Sequence, residues 1–337
     1  MKAWQIQSFG IDSLVCADLP RPRPGPGEVL IRVHAVSLNY RDLMMVGGHY
    51  NPKMALPRIP CSDGAGEIVE VGEGVTAVTA GQRVAGIFMQ NWIDGPPTAA
   101  RTRGALGGDI DGMLAEYVVL SQTGVVSIPD YLSYAEASTL PCAAVTAWNA
   151  LRNAAHLAPA DVVVIQGTGG VSLFALQLAK LMGATVIGTS SSDEKLERAK
   201  ALGLDAGCNY RQSPDWSKWV LEQTGKRGAD LIVEVGGAGT FTQSLQALRV
   251  GGAIAQIGVL SQAGQPLPVA LILQRQARIQ GIYVGSRLDF ETMNRALSAH
   301  RLRPVIDRTL PFAQAPQALT RMQNGEHFGK IVIQVVT

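Results

Sequence analysis

The stretch VVVIQGTGGVSLFALQLAK, Val162 to Lys180, decides how the chain is read. Val162–Gln166 is an apolar run of strand length, and Gly167-Thr168-Gly169-Gly170 is a glycine turn. A helical pattern follows, with Val171, Phe174, Ala175, Leu178 and Met182 on one face. A buried strand that enters a helix through glycines lets the backbone approach a pyrophosphate, and the start of the helix adds unpaired N–H groups and the positive end of its dipole. The third glycine of G-x-G-x-x-G is Ser172 here, so the bare motif is weak. The strand before it, the helix after it and a second strand at ATVIGT (184–189) together predict dinucleotide binding.

Downstream the same rhythm continues through SDEKLERAKALG, ADLIVEVG, FTQSLQALRVGG and AIAQIGVL. Strands and helices alternating in this way predict an α/β domain with a doubly wound parallel sheet over residues 123–290. Residues 1–122 have another texture, of short strands broken by Gly and Pro, as in EVLIRVHAVSL after RPRPGPG. That pattern predicts a mainly antiparallel, barrel-like domain. Residues 291–337 are mixed and end in a strand, KIVIQVV, placed to rejoin the first domain.

The composition narrows the function. The 337 residues are 47% hydrophobic and 17% charged with a formal charge of +2, which describes a globular protein with a large core. Lys/Arg stripes are absent, so nucleic acid is not favoured as a partner. No apolar run reaches the length of a membrane span, the N-terminus lacks a signal-peptide core, and cytoplasmic residence is the expectation. The four cysteines, Cys16, Cys61, Cys142 and Cys208, form neither a disulfide framework nor a structural zinc spacing.

Cofactor choice is read after the second strand, in TSSSDEK, Thr189 to Lys195. Small hydroxyl residues and a lysine suit an extra phosphate, which favours NADPH over NADH. Ser191 and Glu194 also have the spacing of a capping box, and Asp193 or Glu194 offers a carboxylate to a ribose.

Taken in order, GTGGVSLFALQLAK, GTSSSDEKLERAKALG, NYR, GADLIVEVGG and GKIVI resemble the medium-chain dehydrogenase/reductase superfamily, and within it the zinc-independent quinone oxidoreductase-like branch. The resemblance covers essentially the whole chain. It implies a GroES-like catalytic domain built from both termini, a Rossmann domain between them, and a homodimer paired through strands near AIAQIGV or RIQGIYVG. In the zinc alcohol dehydrogenases of that superfamily a Cys precedes an Asp by three residues, a His-Glu pair precedes the glycines, and a Cys lies ahead of a Val-Thr. The matching positions here are Asn39, Ser62-Asp63 and Cys142. Such a set is a poor tetrahedral zinc site, so no metal is expected.

What the resemblance implies is hydride delivery from NADPH to a quinone, an enone or another aldehyde or ketone. Asn39 and Asp42 of NYRD, Tyr50 of GGHY, and Ser62 are the candidate catalytic residues. For the cofactor it implies Gly167, Thr168, Gly169, Gly170 and Val171 at the pyrophosphate. It sets Ser191, Lys195 and Tyr210 around the adenosine phosphate, with Thr146, Gly258 and Val259 toward the nicotinamide. Arg287 and Lys330 are further cofactor contacts. Two alternatives stay open: an alcohol dehydrogenase of the same superfamily, and a non-catalytic NADPH-binding relative with a structural or RNA-binding role.

Overall fold

The computed structural model describes residues 1–261 and 267–336. The chain divides into two compact units, Met1–Val145 with Gly285–Thr337, and Thr146–Val284.

The first unit is built on a seven-stranded sheet. From one edge its strands run Ile306–Pro311, Lys330–Gln334, Glu28–Ser37, Asp63–Val71, Arg83–Gly86 and Val125–Ser127, with Tyr117–Ser121 also paired to Glu28–Ser37. All pairings are antiparallel except that of Ile306–Pro311 with Lys330–Gln334. Val29, Ile31, Val33 and Val36 of the long strand share their core with Ile331 and Ile333 of the last one. The terminal strand therefore rejoins the first domain.

The texture change at residue 123 does not mark where the first unit ends. Val125–Ser127 pairs with Arg83–Gly86 and belongs to the first sheet. The Tyr131 hydroxyl donates to the carbonyls of Leu297 and Leu302, and Asn294 Nδ2 donates to the Ser127 carbonyl. These bonds tie the helix Arg287–His300 to the first unit, so the boundaries fall at 145/146 and 284/285 rather than at 123 and 290.

The second unit is a six-stranded parallel sheet in the order Ala206–Asn209, Thr185–Ser190, Val162–Gln166, Ala229–Glu234, Leu248–Gln256, Arg278–Gly281. Numbered by sequence this order is 3-2-1-4-5-6, the doubly wound arrangement that binds dinucleotides. Val164, Ile187, Ile232 and Ile254 line up across the sheet and pack against Trp216, Val220 and Leu245. The order reverses between Val162–Gln166 and Ala229–Glu234, and the crevice at their carboxyl ends is where a ligand of such a sheet lies.

Candidate active site and nucleotide site

In the first unit, sheet register brings distant residues together. Ser37 pairs with Asp63 on one side and with Val332 on the other, so the segments just beyond these pairs, Leu38-Asn39, Ser62 and Lys330, converge. Asn39 is extended and begins the helix Tyr40–Val46, and its N–H donates to Asp42 Oδ2 at 2.7 Å. Lys330 is 3% exposed, and its ammonium donates to the Leu38 carbonyl at 2.6 Å and to Asn39 Oδ1 at 2.5 Å. Asn39 Nδ2 is thereby turned toward Ser62 Oγ, 3.4 Å away. The Ser62 hydroxyl donates to Asp63 Oδ1 at 2.7 Å, and Asp63 Oδ2 accepts the Cys142 N–H at 3.1 Å. Residues 23 to 291 positions apart from Asn39 thus form one polar chain on the buried side of the site.

The electrostatics follow from burial. Asp42 is fully buried and its carboxyl is pushed up to about 6, chiefly by loss of solvent, with the neighbouring Arg41 charge opposing. Its Oδ1 has no hydrogen-bond partner. Burial also raises Asp63, against which the Lys330 ammonium acts. The thiols of Cys61 and Cys142 are both driven well above the ordinary range, first by burial and then by nearby carboxylates.

Among the predicted catalytic residues, Asn39, Asp42 and Ser62 come together. Asp42 and Ser62 are completely buried, whereas Asn39 retains some surface. Tyr50 is 42% exposed, and the Arg41 guanidinium lies 5.4 Å from its ring centre. Lys330, expected at the cofactor, directs its ammonium onto Asn39 within the first unit. Arg287 opens the helix Arg287–His300, also in the first unit, and pairs with Glu291 at 2.8 Å. Asp63 is the member of the network whose role was not read from sequence.

In the second unit the glycine turn has the expected form. Gly167 has φ 69°, and a methyl group placed on Gly167 or Gly169 would meet nothing within 4 Å, which leaves the open approach that a pyrophosphate needs. The helix Gly170–Leu181 starts without a side-chain cap, so the first N–H groups, including those of Gly170 and Val171, point outward from Thr168 and Gly169. Ser172 is buried, and its hydroxyl donates to the Gln166 carbonyl at 2.7 Å. The serine in place of the third glycine therefore binds the helix back to the strand that feeds it.

Around the second strand the helix Asp193–Lys200 is capped by Ser192, whose Oγ accepts the Lys195 N–H at 3.3 Å, and not by the expected Ser191. Asp193 accepts from Asn209 and Gln212, which commits both of its oxygens to the neighbouring turn. Tyr210 is half exposed, and its N–H is bonded to the Ser190 carbonyl. Thr146 is buried at the start of the unit. At Gly258 a Cβ would lie 1.8 Å from the Val235 carbonyl oxygen, so two loops at the carboxyl edge touch through backbone, and Val259 beside them is 57% exposed.

Two families match this architecture: residues 25–130 the alcohol dehydrogenase GroES-like domain, and residues 170–299 the zinc-binding dehydrogenase domain. The chain is a medium-chain dehydrogenase/reductase. This medium-chain dehydrogenase/reductase is 42% identical to a zinc-type alcohol dehydrogenase-like protein of Schizosaccharomyces pombe, over 97% of its own length and 96% of the relative's. The solved structure of a candidate alcohol dehydrogenase from Sinorhizobium meliloti 1021 superposes with a TM-score of 0.91 at 43% identity, covering 99% of this chain and 98% of that one. An acryloyl-coenzyme A reductase of Metallosphaera sedula is 29% identical over 93% of each chain. Other relatives are named alcohol dehydrogenase or quinone oxidoreductase-like protein. The medium-chain dehydrogenase/reductase is accordingly an oxidoreductase that depends on a pyridine nucleotide. No helix among the described residues is long and apolar enough to cross a membrane.

Proposed function

We propose that the protein is a metal-independent reductase that transfers hydride from NADPH to an α,β-unsaturated carbonyl compound or a quinone. The observation that carries this reading is the Lys330–Asn39 bond. The amide oxygen is the only atom through which Asn39 serves as a metal ligand, and an ammonium 2.5 Å away both occupies and electrostatically protects it. The other candidate donors fit zinc no better. The Ser62 hydroxyl is spent on Asp63, and the Cys142 thiol resists ionisation. Among the described residues no group of three His, Cys, Asp or Glu side chains is arranged to hold a metal. The donor set does not suit a tetrahedral zinc ion.

The same bond makes Asn39 a donor. With Oδ1 held by Lys330, Nδ2 is the end it can offer, and it is available to an oxygen on which negative charge develops. When bound, the nicotinamide supplies the hydride. On an enone that had accepted hydride at its β-carbon, Asn39 Nδ2 would steady the enolate oxygen while water returned the proton to the α-carbon. A neutral amide donor polarises a carbonyl less than a metal ion does, which favours substrates that accept hydride readily. Ser62 and Asp63, being buried, act through Asn39 by fixing its second N–H.

NADPH preference is supported by Ser190, Ser191 and Ser192 at the end of the second strand and by the engagement of Asp193 elsewhere. Lys195 in the first turn of the next helix is the charge for the extra phosphate. A homodimer is supported by Arg278–Gly281, an edge strand with all four residues exposed, near which Val269 and Leu273 expose apolar side chains. The alcohol dehydrogenase relatives favour a second reading, oxidation of a carbinol with NAD(P)+.

The test follows absorbance loss of NADPH and of NADH against quinones, enones and simple ketones after exhaustive chelation, with alcohols and NAD(P)+ run in reverse. NADPH-selective turnover of enones or quinones that added zinc leaves unchanged is the expected result. Turnover of alcohols alone, appearing only when zinc is supplied, would replace this reading with the second one.

A further inference from the structure

Gln166 and Glu234 end the two central strands of the parallel sheet, on either side of the point where strand order reverses. Both are buried, Glu234 completely. Gln166 Nε2 donates to Glu234 Oε2 at 2.7 Å, and Gln166 Oε1 accepts the N–H groups of Val235 and Gly236 at 3.2 and 3.1 Å. Glu234 Oε1 accepts the N–H groups of Gly236 and Gly237 at 2.8 and 2.9 Å and the Thr240 hydroxyl at 2.5 Å; Ser244 Oγ donates to Oε2. No cation pairs with this side chain among the described residues, and its two oxygens are met by hydrogen-bond donors alone.

The connections run outward from this pair in two directions. Gln166 directly precedes Gly167, and its own carbonyl holds Ser172, so one side is fixed to the pyrophosphate turn. On the other side the Glu234 carbonyl accepts the N–H groups of Ile257 and Gly258, while Ser261 N–H donates to Gly236 at 2.7 Å. The loops after the fourth and fifth strands are therefore locked to Glu234. In a sheet of this order the adenosine half of a dinucleotide lies over the strands with Thr185–Ser190, which leaves the fourth and fifth strands to the nicotinamide half.

We propose that Gln166 and Glu234 are positioning residues that form a polar clasp across the switch point, holding the nicotinamide-side loops Val235–Gly237 and Ile257–Gly258 in register with the pyrophosphate turn. A closed apolar pair of the same shape would pack these strands, but it would leave the N–H groups of Val235, Gly236 and Gly237 without acceptors and the loop without a fixed conformation.

The clasp predicts an asymmetric binding defect. Glu234→Gln keeps the side-chain shape and turns an amide NH2 against existing donors. Its affinity for NADPH and NADH, measured by fluorescence titration, should fall roughly 10- to 100-fold, the range for a buried polar mismatch. Affinity for ADP-ribose and its 2′-phosphate, which lack nicotinamide, should stay within about twofold. The exchange Gln166→Glu with Glu234→Gln, which returns a carboxylate and an amide to the pair, should recover most of the loss. Equal losses for whole nucleotide and fragment, or no loss for either, would overturn the proposal. If Glu234→Gln does not fold, Thr240→Val decides, since it removes a single hydroxyl donor and should show the same asymmetry at about fivefold. A symmetric effect there overturns it equally.

Discussion

The Lys330 ammonium lies 2.5 Å from the amide oxygen of Asn39, and the two residues are 291 positions apart in sequence. This bond fixes which way the amide faces, oxygen to Lys330 and Nδ2 toward Ser62, and the proposed role of Asn39 rests on it.

Asn39→Asp should preserve the bond to Lys330 as an ion pair while removing the N–H donor. Turnover with an enone or quinone should fall about 10²- to 10³-fold, the cost of one donor to a developing oxyanion, with KM changed much less. Lys330→Met should lose activity too, together with stability, because it strands Asn39 Oδ1 and the Leu38 carbonyl and removes the positive charge that offsets the burial of Asp63. Steady-state kinetics beside urea unfolding separate the two variants. Unchanged turnover in Asn39→Asp would remove Asn39 from the chemistry.

Asp42 makes the fold pH-dependent in the less common direction. Its folded-state pKa is raised to about 6, so between about pH 4 and 6 the folded chain holds a proton that the unfolded chain has released. Stability from this group is fully present below the unfolded value, declines as pH rises toward 6, and is level above it. Replacing the carboxyl by an amide removes that slope. Relative to the parent, Asp42→Asn should gain stability across this window by an amount on the order of 3 kcal/mol, at ~1.36 kcal/mol per pKa unit. A constant difference in urea unfolding free energy from pH 4 to 7 would contradict the shift.

Thiol chemistry should single out one cysteine. Cys16 is exposed, Cys61 and Cys208 are buried, and Cys142 has a thiol that burial and the Asp63 carboxylate keep protonated. Alkylation of the native protein near neutral pH should modify Cys16 first and leave activity intact, as read by peptide mass mapping. Rapid loss of activity accompanied by labelling of Cys142 would mean that this thiol is ionised after all.

Ser172→Ala deletes the hydroxyl that binds the glycine-turn helix to Gln166 and should cost about 1 kcal/mol. Ser172→Gly, which restores the usual motif, should cost about 1 kcal/mol more through the flexibility of glycine near a helix start. A glycine variant more stable than the parent in thermal unfolding would show that the serine is only tolerated.

Local patterns were legible where neighbouring residues determine them. The strand, turn and helix of Val162–Leu181 and the returning strand Lys330–Gln334 both follow from short-range pattern. Ser191 and Ser192 have equal chemistry as caps, and the choice of Ser192 depends on where the strand releases the backbone. Asn39 could be matched to a ligand position, but the sequence held no sign that Lys330 would face it, because sheet register creates that pairing. Gln166 and Glu234 are hidden for the same reason: each ends an apolar strand and looks like a chance polar residue until the two strands lie side by side.

The order of the strands also has a consequence for biosynthesis. Every strand of the Thr146–Val284 unit is made before Lys330 is added, whereas the Ala35–Ser37 end of the long strand, paired early with Asp63–Ala65 on one side, must wait for Val332–Gln334 to supply its other neighbour. On the ribosome the nucleotide-binding half can mature first, and the Asn39 amide gains its orientation only when the closing strand emerges. A stalled or clipped chain lacking that strand would keep every strand of the nucleotide-binding sheet yet leave the Asn39 amide oxygen without its ammonium.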